Sequence, residues 1–317
     1  MAGEKTPLTF FLPGFSKCGT TSAVELLDRH PQILFPADRE PWFFGDPTYA
    51  DHWSSLRSQF PVDLSPYRAL GDDSTAYSSV TWAADVVPRL AAEFPQARYV
   101  FVVRDPVARI ESAFREFHHS GPRYGINAPF MLSDAMRELP EIVADSCYAE
   151  RLDVVRRHVP RGRLKIIFHE DLLDDPQAVV TSVYRFLALD PERDPPPSAM
   201  PALNVGERKR HDTALLRRMR ADHPLGRSLA RLSFRTQERI LTPLRLRREF
   251  VTPVVWDPAA VAEVRHRVIP DAARFAAEYG VARRGWRRLA ELAADVTPES
   301  AGDEPTVALP PTADEGP

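Results

Sequence analysis

The sequence predicts an α/β protein in three layers, with helices covering a central parallel sheet and a P-loop-like turn after its first strand. Three observations carry that prediction. Residues 8–13 and 98–103 are apolar runs of strand length, as expected of strands buried on both faces of a sheet. Each run passes directly into a helix start, through Gly19-Thr20-Thr21 in the first case and Asp105-Pro106 in the second. Strand-length and helix-length segments then alternate along the chain, as crossover helices over a parallel sheet require.

In order, strand 8–13 leads to helix 20–30, which Pro31 stops. A helix around 48–60 and a short strand near 67–72 follow. Helix 80–94 leads into strand 98–103 and helix 106–119. A helix near 146–159 precedes strand 164–168 (Leu-Lys-Ile-Ile-Phe) and helix 176–188. Residues 190–203, with Pro195, Pro196 and Pro197 in a row, read as a stiff connector. An amphipathic helix over 258–280 is expected to kink at Pro270. The reading is one domain over 1–296 and a disordered acidic, Pro-rich tail over 297–317.

Composition fits an enzyme with a sizeable core. Of 317 residues, 44% are hydrophobic, and a formal charge of −3 argues against a nucleic-acid partner. Two cysteines, Cys18 and Cys147, imply no disulfide framework. No basic leader with an apolar stretch behind it and no run long enough for a transmembrane segment occurs. The basic stretch is 204–250, with 13 Lys/Arg against 5 Asp/Glu, a formal +8. Such a segment serves an anionic acceptor, a membrane surface or only a solvated face.

The chemistry begins at Gly14-Phe15-Ser16-Lys17-Cys18-Gly19-Thr20-Thr21. Gly14 and Gly19 flank four residues, as in a loop that cradles phosphate, but the lysine lies inside the loop and Thr20 stands where a nucleotide kinase carries its lysine. That arrangement suits a single 5′-phosphate, held by backbone N–H groups, a helix N-terminus and the two threonine hydroxyls. At the second junction Arg104 ends a strand, where open α/β sheets bind ligands, and Ser112 follows two helical turns on.

With these two motifs in this order, the chain resembles the sulfotransferases that use 3′-phosphoadenosine 5′-phosphosulfate (PAPS). The resemblance implies that Ser16, Lys17, Cys18, Gly19, Thr20 and Thr21 hold the 5′-phosphosulfate, and that Arg104 and Ser112 hold the 3′-phosphate. It also implies that Lys17 stabilises the leaving phosphate, a role served by an ammonium aimed at the bridging oxygen as its charge grows. No metal is expected, and no HxxxH-type or clustered-carboxylate spacing appears. Secretory-pathway members carry a membrane anchor, so a cytoplasmic location is expected.

Residues 38–46, Asp-Arg-Glu-Pro-Trp-Phe-Phe-Gly-Asp, resemble the glycosaminoglycan (heparan sulfate) branch and related bacterial enzymes, which have a glutamate shortly before a Phe-Phe pair. Glu40 falls on that glutamate, implied to deprotonate the acceptor hydroxyl or amine. The alternative base is a histidine, with His118, His119 and His52 as candidates. One position departs from the branch: Asp73, in Gly71-Asp-Asp-Ser-Thr-Ala-Tyr77, stands where animal members have a second lysine, and Ser74 follows it. Glu170-Asp171-Leu172 matches a family habit and implies a role in holding the strand end.

The family closes a basic, glycine-containing loop over the nucleotide. Arg208 and Arg210 in 204–210 are favoured for it, with Arg245, Arg247 and Arg248 as the alternative. The acceptor stays open among a natural product, another small molecule and a glycan, and a homodimer is compatible. A P-loop kinase-like enzyme and a non-catalytic carbohydrate- or membrane-binding protein are the competing readings.

Overall fold

The computed structural model describes residues 6–191, 209–223, 229, 232–250 and 253–294. Arg208, most of the proline-rich connector and the tail at 297–317 lie outside the described residues. Five parallel strands, β1 (Phe10–Gly14), β2 (Ile33–Leu34), β3 (Ala69–Asp72), β4 (Arg98–Val103) and β5 (Leu164–Phe168), form a sheet in the order β2-β3-β1-β4-β5. Flanking helices include Thr20–Leu27, Ala83–Glu93, Pro106–Ser120, Tyr148–Arg156 and Pro176–Phe186. β1 and β4 are fully buried at Phe10, Phe11, Leu12 and Val100 to Val103, which is why they read as unbroken apolar runs. Gly71 of β3 gives room to the Phe10 ring, since a Cβ there would lie 2.4 Å from it.

The strand order positions the site. From β1 the chain builds outward on one side to β2 and β3, then crosses to β4 on the other side of β1. The carboxyl end of β1 is therefore the topological switch point, where a crevice opens between diverging connections. The loop that carries Glu40 is anchored beside it by aromatic packing. The Phe44 ring meets Phe11, Phe94 and Trp53 edge-on, with centroids 6.1, 5.6 and 5.9 Å away.

Several elements differ from expectation. Instead of one helix around 48–60 there are short turns, Tyr49–Asp51 and Trp53–Arg57, in a stretch of Thr, Tyr, His and Ser that favours caps over helix interiors. The 258–280 helix is carried past Pro270 by a π turn at Val264–Val268, between Pro258–Glu263 and Ile269–Tyr279. Widening the turn there relieves the clash of the proline ring with the carbonyl one turn back.

Within the basic segment, helices Ala214–Asp222 and Phe234–Leu241 lie in chain order between the two strands of an antiparallel ribbon, β6 (Arg210–Asp212) and β7 (Arg247–Glu249). Buried Arg247 ties it together, pairing with Asp212 at 2.9 Å and with Glu238, and donating to the His119 carbonyl at 2.7 Å. Among the described residues, no helix is long and apolar enough to cross a membrane.

Candidate active site

The loop after β1 needs both of its glycines. Gly14 (φ 151°) would place a Cβ 2.1 Å from Ser78 Oγ, and Gly19 (φ 88°) would place one 2.3 Å from His169 Nδ1. Between them Phe15 is buried against the Phe101 and Tyr148 rings, so the loop is pinned at its base. Lys17 adopts a left-handed backbone (φ 68°), a conformation costly for a side chain and held here by its surroundings. Cys18 turns inward: its N–H donates to the Phe15 carbonyl at 3.2 Å, and its Sγ lies 3.3 Å from Tyr148 Oη. Burial pushes its thiol up to about 11, which makes it a packed core group and no thiolate nucleophile. Thr20, buried, and Thr21, exposed, open helix Thr20–Leu27, whose N-terminus has no side-chain cap. Its first-turn N–H groups are without intrahelical partners.

Arg109 holds this loop from below. Its buried guanidinium donates to the Ser16 carbonyl at 3.1 Å, to the Glu141 and Ile142 carbonyls and Ser146 Oγ at 3.0 Å each, and faces Asp145 at 3.5 Å. Burial raises the Asp145 pKa, opposed by the Arg109 charge.

At the end of β4, Arg104 is half-buried, and its carbonyl accepts from Tyr148 Oη at 2.8 Å. Among the described residues its guanidinium has no ion pair or hydrogen bond. Asp105 is the expected N-cap, accepting from Val107 and Ala108 N–H at 2.9 and 3.2 Å, and it also caps Arg287–Ala294 through the Arg288 and Leu289 N–H groups. Glu170 accepts from the Asp105 N–H at 2.8 Å and so holds the strand end. Beside it, His169 lies flush under Gly19, with burial and the Arg104 charge lowering its pKa to about 4. Ser112 is half-buried on helix Pro106–Ser120.

Farther along that helix is Glu116. Its Oε2 lies 2.8 Å from Lys17 Nζ and 2.8 Å from Lys209 Nζ, and Ser120 donates to its Oε1 at 2.6 Å. Burial alone would raise the Glu116 pKa, but the two ammonium groups hold it well below the usual carboxylate range. Burial and the Lys17 charge lower the pKa of Lys209 to about 8 against the pull of Glu116. Neighbouring Arg210 is directed elsewhere, to Glu238 and Glu249 at 3.1 Å each.

Glu40 stands in the facing loop, with a left-handed backbone (φ 52°). Thr75 Oγ1 donates to its Oε2 at 3.2 Å. Asp73 braces the loop by accepting from Arg39 Nε and Nη2 at 2.9 and 2.8 Å and from the Glu40 N–H at 3.1 Å, while Ser74 Oγ accepts from the Trp42 N–H at 3.0 Å. Solvent reaches Glu40, yet protein surrounds most of its carboxyl. That desolvation and the Asp73 charge raise its pKa, opposed by Thr75, Lys17 and Arg39.

The alternative histidines are engaged elsewhere. His118 is buried against Phe130, with Nε2 3.0 Å from the Pro129 carbonyl, and burial lowers its pKa to about 4. His119 Nδ1 accepts from the Arg210 N–H at 3.2 Å, and His52 lies on the exposed turn before Trp53–Arg57.

Four residues of the site were not picked out by the sequence reading: Arg109, Glu116, His169 and Lys209. The signals for the first two were spacings, five residues after Arg104 and four after Ser112, the latter sharing a helix face with it. Lys209 lay between the two arginines favoured for the closing loop.

A family model described as "Sulfotransferase family" matches residues 81–193. Over 197 residues the chain is 27% identical to human bifunctional heparan sulfate N-deacetylase/N-sulfotransferase 2, covering 57% of this chain and 22% of that protein. It is 28% identical over 196 residues to mouse heparan sulfate glucosamine 3-O-sulfotransferase 3B1, covering 59% of this chain and 48% of that protein. The chain thus matches less than half the length of these curated relatives. A sulfotransferase from Alicyclobacillus acidocaldarius has the same fold, with a TM-score of 0.58 at 20% identity over 89% of this chain and 100% of that one. The chain is thus similar in sequence to sulfotransferases through β4 and β5 and shares the fold of the Alicyclobacillus enzyme over most of its length.

Proposed function

We propose that this protein transfers the sulfuryl group of PAPS to a hydroxyl or amine of a small-molecule, natural-product or carbohydrate acceptor by in-line displacement. The observation that carries the reading is that the Lys17 charge acts on the Glu40 carboxyl, the lysine standing in the loop after β1 at the switch-point end of the sheet. Glu40 takes the acceptor proton as the nucleophile attacks sulfur, and Lys17 meets the negative charge growing on the leaving phosphate. That ammonium supplies the charge stabilisation for which nucleoside triphosphate enzymes use a metal, so the step calls for none. Phosphate binding falls to the loop Ser16–Thr21, through its backbone, the helix N-terminus and the threonine hydroxyls, since the Cys18 thiol faces the core.

Arg104, whose guanidinium is free of protein partners among the described residues, and Ser112 take the 3′-phosphate. The reading treats 1–296 as one domain with 204–250, including Arg208 and Arg210, as a lid or acceptor wall, acting in the cytoplasm. A panel of phenols, alcohols, amines and oligosaccharides incubated with radiolabelled PAPS tests it. Label on an acceptor supports the reading. Turnover of ATP without transfer from PAPS would instead support a kinase-like enzyme.

A further inference from the structure

Glu116 stands four residues from both Ser112 and Ser120, so all three side chains share one face of helix Pro106–Ser120. Lys17 and Lys209 reach the same oxygen of its carboxylate, each at 2.8 Å, while Ser120 occupies the other oxygen. The exposures are 28% for Lys17, 31% for Glu116 and 15% for Lys209, so water screens the cluster only partly. One carboxylate facing two ammonium groups leaves a net positive charge, and without it two like charges would stand close together in a half-buried place.

The lysines arrive from separate parts of the chain, Lys17 from the loop after β1 and Lys209 from the residue preceding β6. At Asp73 the chain has a carboxylate, and the cation beside it, Arg39, is paired with that carboxylate. Lys209 is the ammonium that the fold brings to Lys17 instead.

We propose that Glu116 is a built-in competitor of the sulfuryl donor: its carboxylate gathers Lys17 and Lys209 into one cation site, and the donor's anionic group draws both lysines away from it. This rests on the sulfotransferase reading for the identity of the donor, but the competition itself concerns any small tetrahedral oxyanion. Lys209 then supplies the second positive charge on the transferred group, and Glu116 lowers donor affinity in return for keeping the two lysines together.

The test is calorimetric titration of wild type, Glu116→Gln, Lys209→Gln and the double variant with PAPS, and separately with inorganic sulfate, at about pH 6.5. Glu116→Gln keeps the shape of the side chain and removes the competing charge. It is expected to bind both ligands roughly five- to fiftyfold more tightly, the size of one charge-assisted contact withdrawn from competition. Lys209→Gln is expected to weaken PAPS binding about tenfold or more, and the gain from Glu116→Gln should shrink by at least half in its background, the mark of a coupled pair. Unchanged or weaker binding of both ligands by a Glu116→Gln variant with wild-type melting behaviour would overturn the proposal, since Glu116 would then only position the lysines. A wild type that ignores PAPS, beside a Glu116→Gln variant that gains sulfate affinity, would reject the donor assignment while upholding the competition.

Discussion

Arg109 Nε donates to the Ser16 carbonyl at 3.1 Å, across 93 residues of sequence, and so fastens the anion loop to helix Pro106–Ser120. The same guanidinium bonds the Glu141 and Ile142 carbonyls and Ser146, so one planar fork organises three segments beneath the site. Nothing in that role touches a ligand directly.

Replacing Arg109 should therefore act through stability and loop geometry. Arg109→Met takes the buried cation from Asp145 and the donor from the Ser16 carbonyl, and is expected to cost about 3–5 kcal/mol, the usual penalty for breaking a buried pair by removing one partner. Arg109→Lys keeps the charge but loses the fork, and should recover only part of this. Urea unfolding followed by circular dichroism measures both. A loss under about 1 kcal/mol for the methionine variant would show that the loop holds its shape without this anchor.

Arg104 should act on one ligand group alone. Arg104→Ala is expected to lose about 2–3 kcal/mol of binding to adenosine 3′,5′-bisphosphate, the size of a charge-assisted pair. Binding of adenosine 5′-phosphosulfate, which lacks the 3′-phosphate, should hardly change. Equal losses for the two nucleotides in calorimetry would remove Arg104 from 3′-phosphate recognition.

The centre of the sheet was legible because β1 and β4 are buried on both faces, and a buried parallel strand has mostly apolar residues to show. The edge strand β5, mostly half-buried, was still legible as Leu-Lys-Ile-Ile-Phe, and the Asp105 cap was visible in one dipeptide. β2 was missed because two residues carry no periodicity, and the β6–β7 ribbon because its cohesion lies in Arg247, Asp212 and Glu238, far apart in sequence. The position of Asp73 told that a lysine was absent. It could not tell that the carboxylate would bind Arg39 and the Glu40 N–H, nor that Lys209 would come to Lys17 from the far end of the domain. Composition sees residue types, whereas these sites are made by chain crossings.

Lys17 should matter to turnover more than to binding. Its ammonium is paired with Glu116 at 2.8 Å and has further donor hydrogens to offer the leaving phosphate. Lys17→Ala is expected to reduce kcat by roughly 10²–10³, as for deletion of one oxyanion donor, with the fold retained and most affinity for the bisphosphate product kept. Single-turnover transfer and calorimetry separate the two effects. A variant with full activity would contradict the role.

Glu40 is where the proposed mechanism is most exposed to disproof. A base must be ionised to work, and burial with the neighbouring Asp73 raises the pKa of this carboxyl. As pH falls through that raised value the base is lost, so the acid limb of kcat/KM should lie above the ordinary glutamate value of about 4.3. Lys17 lowers the Glu40 pKa, so Lys17→Ala should push the limb to still higher pH in whatever activity remains. The sign for stability is opposite to that of a salt-bridged acid. The native state holds this proton more tightly than the unfolded chain does, so ionised Glu40 works against folding at neutral pH, and the cost disappears below the unfolded pKa. Glu40→Gln should accordingly leave stability equal or slightly higher while removing roughly 10²–10⁴ of the transfer rate, with PAPS binding nearly intact. A phenol acceptor, with its lower pKa, should show a smaller penalty than an alcohol, because less proton transfer is needed in the transition state. Single-turnover transfer at saturating PAPS and acceptor decides the matter: a Gln variant within about threefold of wild type, far short of the loss expected for a general base, would take Glu40 out of the mechanism and return attention to the histidines.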